Sequence, residues 1–452
     1  MDMIVQINDF INGLVWGPYM LVLIVGTGFY LTFATKFFQV TKISLWWRET
    51  FGKLLKKKEK HDDENISPFQ ALSTAMASTV GTGNIAGVAT AVFLGGPGAV
   101  FWMWVSGFVG MMTKYAEIVL ALKYRQTDET GAYHGGPMYY IKNGLNNKWL
   151  AALFAFFGAI AAFGIGNMTQ ANAVAGALNR AFNVPVIVTG IIIAALVAIV
   201  IIGGIKRIAS VTEKLVPFMA VFYIIGCLVI LAVNATELPN AFRVIFAGAF
   251  SMESVGGGIF GYVMMRAMRR GIARGVFSNE AGLGSAPIVH AASRNPSPVN
   301  QGFYGVFEVF VDTIIICTLS GLVIVTAGLY MGEDSGIALV MASFSQQFGY
   351  TGYVFITIAI MCFAGSTILG WSYYGQQCLG YLTNNNKTVS LVYKIIFSAM
   401  AIVGAIGGLE LIWDIADTLN GLMAIPNLIG VIFLSKIVFG LTKEYLEKNV
   451  SK

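Results

Sequence analysis

Ala77-Ser78-Thr79-Val80-Gly81-Thr82-Gly83-Asn84 interrupts an apolar run, near residues 68–94, that otherwise reads as a membrane-spanning helix. Two glycines, three hydroxyls and an amide stand where lipid offers backbone groups no partner. Glycine lowers the cost of leaving helical geometry, and an unwound turn frees carbonyls and amides to bind something other than each other. The stretch reads as the waist of a broken helix.

The rest of the chain agrees with a membrane setting. Of 452 residues, 56% are hydrophobic and 12% charged, and the mean hydropathy is +0.71, too apolar for a soluble globular protein of this size. The expected fold class is an all-α polytopic membrane protein embedded in the lipid bilayer. His61, His134 and His290 are scattered, and Cys227, Cys317, Cys362 and Cys378 lie in apolar segments without CxxC spacing, so neither a zinc site nor a disulfide framework is suggested. No cofactor is expected. A net charge of +6 would hint at nucleic acid in a soluble protein, but here the basic residues collect in particular loops, as membrane orientation requires. Asp2 and Asp9 precede the first apolar run, with no Lys or Arg and no cleavage-like site, so the N-terminus reads as the start of a span rather than a secretory signal.

A helix needs about 20 apolar residues to cross the bilayer core, and about eleven segments qualify. They lie near 14–34, 68–94, 98–123, 149–178, 184–204, 213–233, 258–292, 302–329, 352–382, 389–408 and 418–440. Between the first two, Lys36, Lys42, Arg48, Lys53, Lys56, Lys57, Lys58 and Lys60 accompany Trp46 and Trp47 in a basic, partly amphipathic connector expected on the cytoplasmic surface. Alternate threading puts Lys123, Arg125, Lys142, Lys148, Lys206, Arg207, Lys214, Arg294, Lys387, Lys443, Lys448 and Lys452 on that side, and Glu237, Glu333, Asp334, Glu410, Asp414 and Asp417 opposite. The positive-inside rule then gives an extracellular N-terminus and a cytoplasmic C-terminus.

The segment 258–292 carries Arg266, Arg269, Arg270 and Arg274 in its first half and then Phe277-Ser278-Asn279-Glu280-Ala281-Gly282-Leu283-Gly284-Ser285-Ala286-Pro287, again glycine-rich and polar. It reads as a second broken helix. With the first span set aside, the two breaks open two groups of five spans, and five being odd, the second group runs in the opposite sense. Paired interrupted helices in inverted halves point to a secondary transporter with a midplane site. The expected organisation is an extra helix (1–35), a cytoplasmic connector (36–67), a first repeat (68–233), an extracellular connector (234–257), a second repeat (258–441) and a tail (442–452).

Gly95-Gly96-Pro97-Gly98-Ala99-Val100-Phe101-Trp102-Met103-Trp104-Val105-Ser106 closely resembles the hallmark of the alanine or glycine:cation symporter family, and Gly275 to Ala292 resembles that family's other typical run. The resemblance covers nearly the entire chain. It implies the five-plus-five inverted repeat of the bacterial leucine transporter, whose first core helix carries a VGLGN break similar to Val80-Gly81-Thr82-Gly83-Asn84, with Thr82 in place of leucine.

An amino acid zwitterion presents a carboxylate and an ammonium on adjacent groups, and a broken helix answers both through exposed amides and exposed carbonyls. The expected substrate residues are Thr79, Gly81, Thr82 and Gly83 on span 2, with Phe277, Ser278 and Asn279 on span 7: the amides of Thr82 and Gly83 take the carboxylate, and carbonyls near Thr79 and Phe277 take the ammonium. The alternative is that the glycines only permit close helix packing. Gly81-Thr82-Gly83-Asn84-Ile85-Ala86 also fits a dinucleotide fingerprint, but the region about 20 residues on offers Phe101-Trp102-Met103-Trp104 and no acid for a ribose. By resemblance to the sodium site shared across this fold, the carbonyls of Ala77 and Val80 face Ser366 and Thr367 of span 9, unless those hydroxyls merely join helices. In span 4, Gln170 either donates to the substrate carboxylate or forms an interhelical amide clamp. Trp371, one turn beyond Thr367, either caps the pocket and with Phe277 favours alanine and glycine, or is plain packing.

Intramembrane acids are candidates for proton coupling by default. Glu280, Glu308 and Asp312 are the ones here, and pairing with a buried arginine such as Arg270 or Arg274 is the favoured reading. Lys114 and Glu117 read as an ordinary i,i+3 helix pair near the inner surface. The leading expectation is sodium-coupled symport of small neutral amino acids by a monomer, with proton coupling as the near alternative. A channel fits poorly because polarity concentrates at one depth, and no nucleophile, base and orienter are grouped as an enzyme would need.

Overall fold

The computed structural model describes residues 2–54, 64–250, 260–407 and 410–449, and among them the sole sheet is the two-residue pairing of Gln126–Thr127 with Tyr133–His134. Everything else of regular form is helix. Among the described residues, eight helices are long and apolar enough to cross a membrane, nine when the bent pair Pro68–Thr79 and Gly83–Gly95 counts as one span. Two more of the expected segments are helical but fall short of that test: Val186–Ile201 has only 16 residues, and Phe260–Asn279 carries the four arginines. Ile187, Ile191, Leu196 and Ile199 on the former are exposed, a face suited to lipid and costly in water.

Span 2 starts where the sequence provides a complete cap. The Ser67 hydroxyl accepts from Gln70 N at 3.1 Å, the Gln70 side chain accepts from Ser67 N at 3.0 Å, and Pro68 takes the first turn. The helix runs to Thr79 and resumes at Gly83 after a bend of 48°. Its halves have 12 and 13 residues, each about 18–20 Å long at the usual helical rise. The break therefore divides the span near its middle.

The second break is narrower than its sequence suggested. Phe277, Ser278 and Asn279 still belong to the helix Phe260–Asn279, and the unwound part is Glu280 to Ser285, before the short helix Ala286–His290. Left-handed φ values of 56° at Glu280, 95° at Gly282 and 81° at Gly284 make the turn, and at the last two only glycine adopts them without strain. The broken spans lie side by side and antiparallel. Ile66 bonds to Ala292 and Arg294, Gly83 faces Phe277, and Gly95 abuts Arg270 and Ala267.

Several expected boundaries move. Helix already begins at Asp2 rather than near 14, with a step at Trp16–Gly17 ahead of Pro18. Span 9 is preceded by a helical stretch from Gly336, set off by Gly349 (φ 54°, ψ −134°). Span 11 ends at Phe433 and a separate helix, Ser435–Asn449, follows, because Leu434 interrupts the run expected to reach 440. The connector expected at 234–257 contains the helix Leu238–Phe250; residues 251–257 lie outside the described residues. In the connector 36–67, Trp46 is buried, donates to Gln39 O at 2.9 Å and packs on Phe310 of span 8, so that face of the connector is held against the bundle. Lys56, Lys57, Lys58, Lys60 and His61, and Lys452 in the tail, lie outside the described residues.

Candidate functional site

At Val80 the backbone leaves helical geometry (φ −79°, ψ 82°). In an intact helix the Gly81 amide would bond the Ala77 carbonyl four residues earlier. Here Gly81 N turns to Thr79 O at 2.9 Å and to the Asn84 side-chain oxygen at 2.9 Å. The Ala77 carbonyl, freed of that partner, receives the Ser366 hydroxyl at 3.3 Å and the Thr367 hydroxyl at 3.1 Å. Both hydroxyls also bond Phe363 O at 2.9 Å, which fixes them toward span 2. Span 9 can come this close because Gly81 lacks a side chain: a Cβ there would lie 2.4 Å from Thr367 Oγ1. Ala77, Val80, Ser366 and Thr367 are all buried, and the Ala77 carbonyl meets the two hydroxyls as hard, neutral oxygens in a dry place. This donor set fits an alkali cation.

On the other side of the turn, Thr82 donates through its amide (3.4 Å) and its hydroxyl (2.9 Å) to Gln170 Oε1. The Gln170 amide nitrogen donates to Ile165 O at 3.1 Å within its own helix, at the wide π-helical turn Gly164–Met168. Gln170 is thus an interhelical clamp in this conformation, holding the amide expected to meet a carboxylate. Phe277 covers Gly83, with the Arg274 guanidinium 5.2 Å from its ring centre. Trp371 is buried, and its indole N–H donates to Glu280 at 2.9 Å, so it ties span 9 to the second break. Gly166 makes room for it, since a Cβ there would come within 2.3 Å of the Trp371 side chain. Ser278 and Asn279 turn to span 8, toward Asp312 and Thr313 respectively.

The acids depart from the arginine pairing that was favoured. Glu280 accepts from Trp371 and Ser285. Glu308 pairs with Lys114 at 3.3 Å and His290 at 3.2 Å. Asp312 accepts from Asn84 at 2.6 Å, Ser278 at 3.0 Å and Thr313 at 2.8 Å. Lys114 and Glu117 are not a surface pair either: both are fully buried, Lys114 reaching across to span 8 while Glu117 accepts from Gly282 N at 2.9 Å and from Asn427. Glycine explains the crossing, since Gly305 lets span 8 close on the Lys114 stem. Glu117, Asn427 and His290 were not singled out beforehand as parts of one network. Their signal was an ionisable or amide group at buried depth in an apolar span.

The model of the sodium:alanine symporter family matches residues 1–452. Among curated relatives, a sodium/alanine symporter of Methanococcus maripaludis is 49% identical over all of both chains. A probable sodium/glutamine symporter of Bacillus subtilis is 39% identical over 97% of this chain and 90% of its own. Among solved structures, a Na+-coupled sialic acid symporter superposes with a TM-score of 0.51 at 13% identity, covering 92% of this chain and 82% of that one. A manganese transporter of Eremococcus coleocola gives 0.51 at 10% identity, covering 78% and 75%. At such identities the likeness is one of fold.

Proposed function

Because the chain belongs to the sodium:alanine symporter family, and is therefore a multi-pass membrane transporter and not an enzyme, we propose that it couples inward sodium movement to the uptake of alanine and glycine by alternating access. The observation that carries this is the Ala77 carbonyl, stripped of its helical partner and met by the hydroxyls of Ser366 and Thr367. Sodium would take these oxygens with the Val80 carbonyl. The substrate carboxylate would take the amides of Thr82 and Gly83 once Gln170 releases the first of them, and its ammonium the carbonyls near Thr79 and Phe277. Gly81, Ser278 and Asn279 shape the two turns between. Trp371 and Phe277 limit the side chain to a hydrogen or a methyl.

In this reading 68–233 and 258–441 form the inverted repeats, spans 2, 3, 7 and 8 move as a bundle against the remainder, the N-terminus is extracellular and the C-terminus cytoplasmic, and the monomer is the working unit. The test is uptake of labelled alanine and glycine into proteoliposomes under an inward sodium gradient, against an equal potassium gradient at fixed pH and potential. Sodium-dependent accumulation is expected. Equal uptake in potassium that follows an inward proton gradient would overturn sodium coupling. Thr367→Ala should raise the sodium concentration for half-maximal uptake about tenfold or more; an unchanged value would remove Thr367 from the ligands.

A further inference from the structure

Span 10 is the helix Lys387–Ile406, and its only charged residues are Lys387 and Lys394. Nearly two full turns separate them, so they share one face of the helix, about 10 Å apart along its axis. Ser390 and Leu391 lie in the same stripe. Around Lys394, Leu391, Val392, Ile395 and Ile396 are exposed, an apolar surface suited to lipid. Lys394 itself is half-buried, and a lysine at that depth is costly without a partner. Among the described residues, neither ammonium has an ion pair.

Both lysines line a cavity of about 300 Å³ between the end of span 9 and the start of span 10, with His134, Gln376, Ser390 and Leu391 also on its walls. That is the lower end of the size range of ligand pockets. The walls are tied together: Gln376 donates to the Ser390 hydroxyl at 3.0 Å, and the His134 ring bonds Gln377 at 2.8 Å and Asp128 at 2.9 Å. Asp128 is taken up by His134 and Thr130 and does not line the cavity, whose lining carries no acid. At the start of span 10 the Asn386 side chain already accepts from the amides of Thr388 and Val389. The positive character of the cavity therefore comes from the two ammonium groups.

We propose that this cavity binds the phosphate of an anionic phospholipid, taken from the leaflet beside the turn at 383–386. Lys387 and Lys394 hold the phosphate oxygens. Ser390, whose oxygen accepts from Gln376, keeps its own proton to donate to them. Exposed Leu391 and Ile395 receive the start of an acyl chain. Basic pockets between helices at the inner membrane surface suit such headgroups. A zwitterionic lipid fits poorly, because its cation would stand beside two ammonium groups with no acid on the lining to answer it. A soluble phosphate would leave the apolar half of the stripe unused. The proposal is independent of the coupling ion; only the naming of the leaflet as the inner one rests on the orientation given above.

The test is native mass spectrometry of the purified full chain in detergent, titrated with dioleoyl phosphatidylglycerol or dioleoyl phosphatidylcholine, with monodispersity as the check on folding. The wild type should retain one phosphatidylglycerol at concentrations where phosphatidylcholine is lost. Lys387→Gln and Lys394→Gln should each weaken that binding about tenfold or more, as the loss of one hydrogen bond to a charged group implies. Lys148→Gln, which removes an exposed lysine at the start of span 4, should leave it unchanged. Lys387 is itself exposed, so Lys387→Gln decides the matter if Lys394→Gln does not fold. Unaltered binding in both variants would overturn the site. An equal loss in all three would overturn it too, leaving only a general attraction of basic loops to anionic lipid. Excess water-soluble glycerol phosphate should not displace the lipid; displacement would make the occupant a free phosphate and the lipid assignment wrong. None of these failures touches the sodium reading, which the uptake assay tests by itself.

Discussion

Gly81 and Thr367 meet at a distance that only the smallest residue allows. Gly81→Ala would drive a methyl into the Thr367 hydroxyl, and overpacking of this kind costs about 1–3 kcal/mol. Span 9 must withdraw from Ala77, so sodium-dependent uptake should fall more than tenfold while the protein still reaches the membrane; near-normal uptake would mean that the contact is incidental. Trp371 makes a second residue-level case. Trp371→Phe keeps the ring but removes the donor to buried Glu280, a loss of about 1–3 kcal/mol that should lower the thermal midpoint, whereas Trp371→Ala should admit side chains larger than methyl in competition assays. The placing of Ala77 beside Ser366 and Thr367 was legible in the sequence because one local event, the loss of a helical bond at a glycine turn, together with the fold resemblance, brings them together. The partners of Glu280, Glu308 and Lys114 were not. Which atom a buried polar group meets across a helix interface depends on packing between separate elements, 91 positions apart for Glu280 and Trp371 and 194 for Lys114 and Glu308, and a pattern along one helix, such as Lys114 with Glu117, carries no information on it.

At the scale of elements, glycines among polar residues marked both breaks, and the structure moved only their edges. The helical stretch ahead of span 9 was missed for a physical reason: Ser343, Ser345, Gln346 and Gln347 break its apolar run, and the backbone angle at Gly349 separates it from span 9. Nothing lies within 4 Å of a Cβ built there, so Gly349→Ala should show the backbone cost alone, about 1–3 kcal/mol, as a lowered thermal midpoint. The loop between spans 3 and 4 gives a pH prediction. Partial burial pushes the Asp128 carboxyl up, but the Thr130 hydroxyl, the His134 ring and the amides of Ala132 and Thr130 outweigh it and hold the group well below the usual carboxylate range. A depressed value means that the stabilisation is fully present above the unfolded value of about 3.9 and is lost as pH falls through the lower folded one. Hydrogen exchange at Thr130 and Ala132, corrected for intrinsic rates, should therefore hold steady from pH 7 to 5 and rise only in strong acid. In Asp128→Asn that acid dependence should vanish.

For the molecule as a whole, one sodium moving with a net-neutral zwitterion transfers one charge, worth about 2.3 kcal/mol per 100 mV. Alanine uptake should generate an inward current in a supported-membrane recording, and a silent recording with active uptake would require a compensating counter-ion. The break in span 2 adds a further consequence. With half-helices of 12 and 13 residues on either side, an ion arriving at Ala77 from outside has crossed about half of a core roughly 30 Å thick and felt about half of the potential. At 100 mV that is about 1.2 kcal/mol, equivalent to about a sevenfold higher outside sodium concentration. The broken helix then acts as an ion well: the approach to the site converts voltage into occupancy before any helix has moved, so the outside sodium concentration for half-maximal current should fall as the membrane is hyperpolarised.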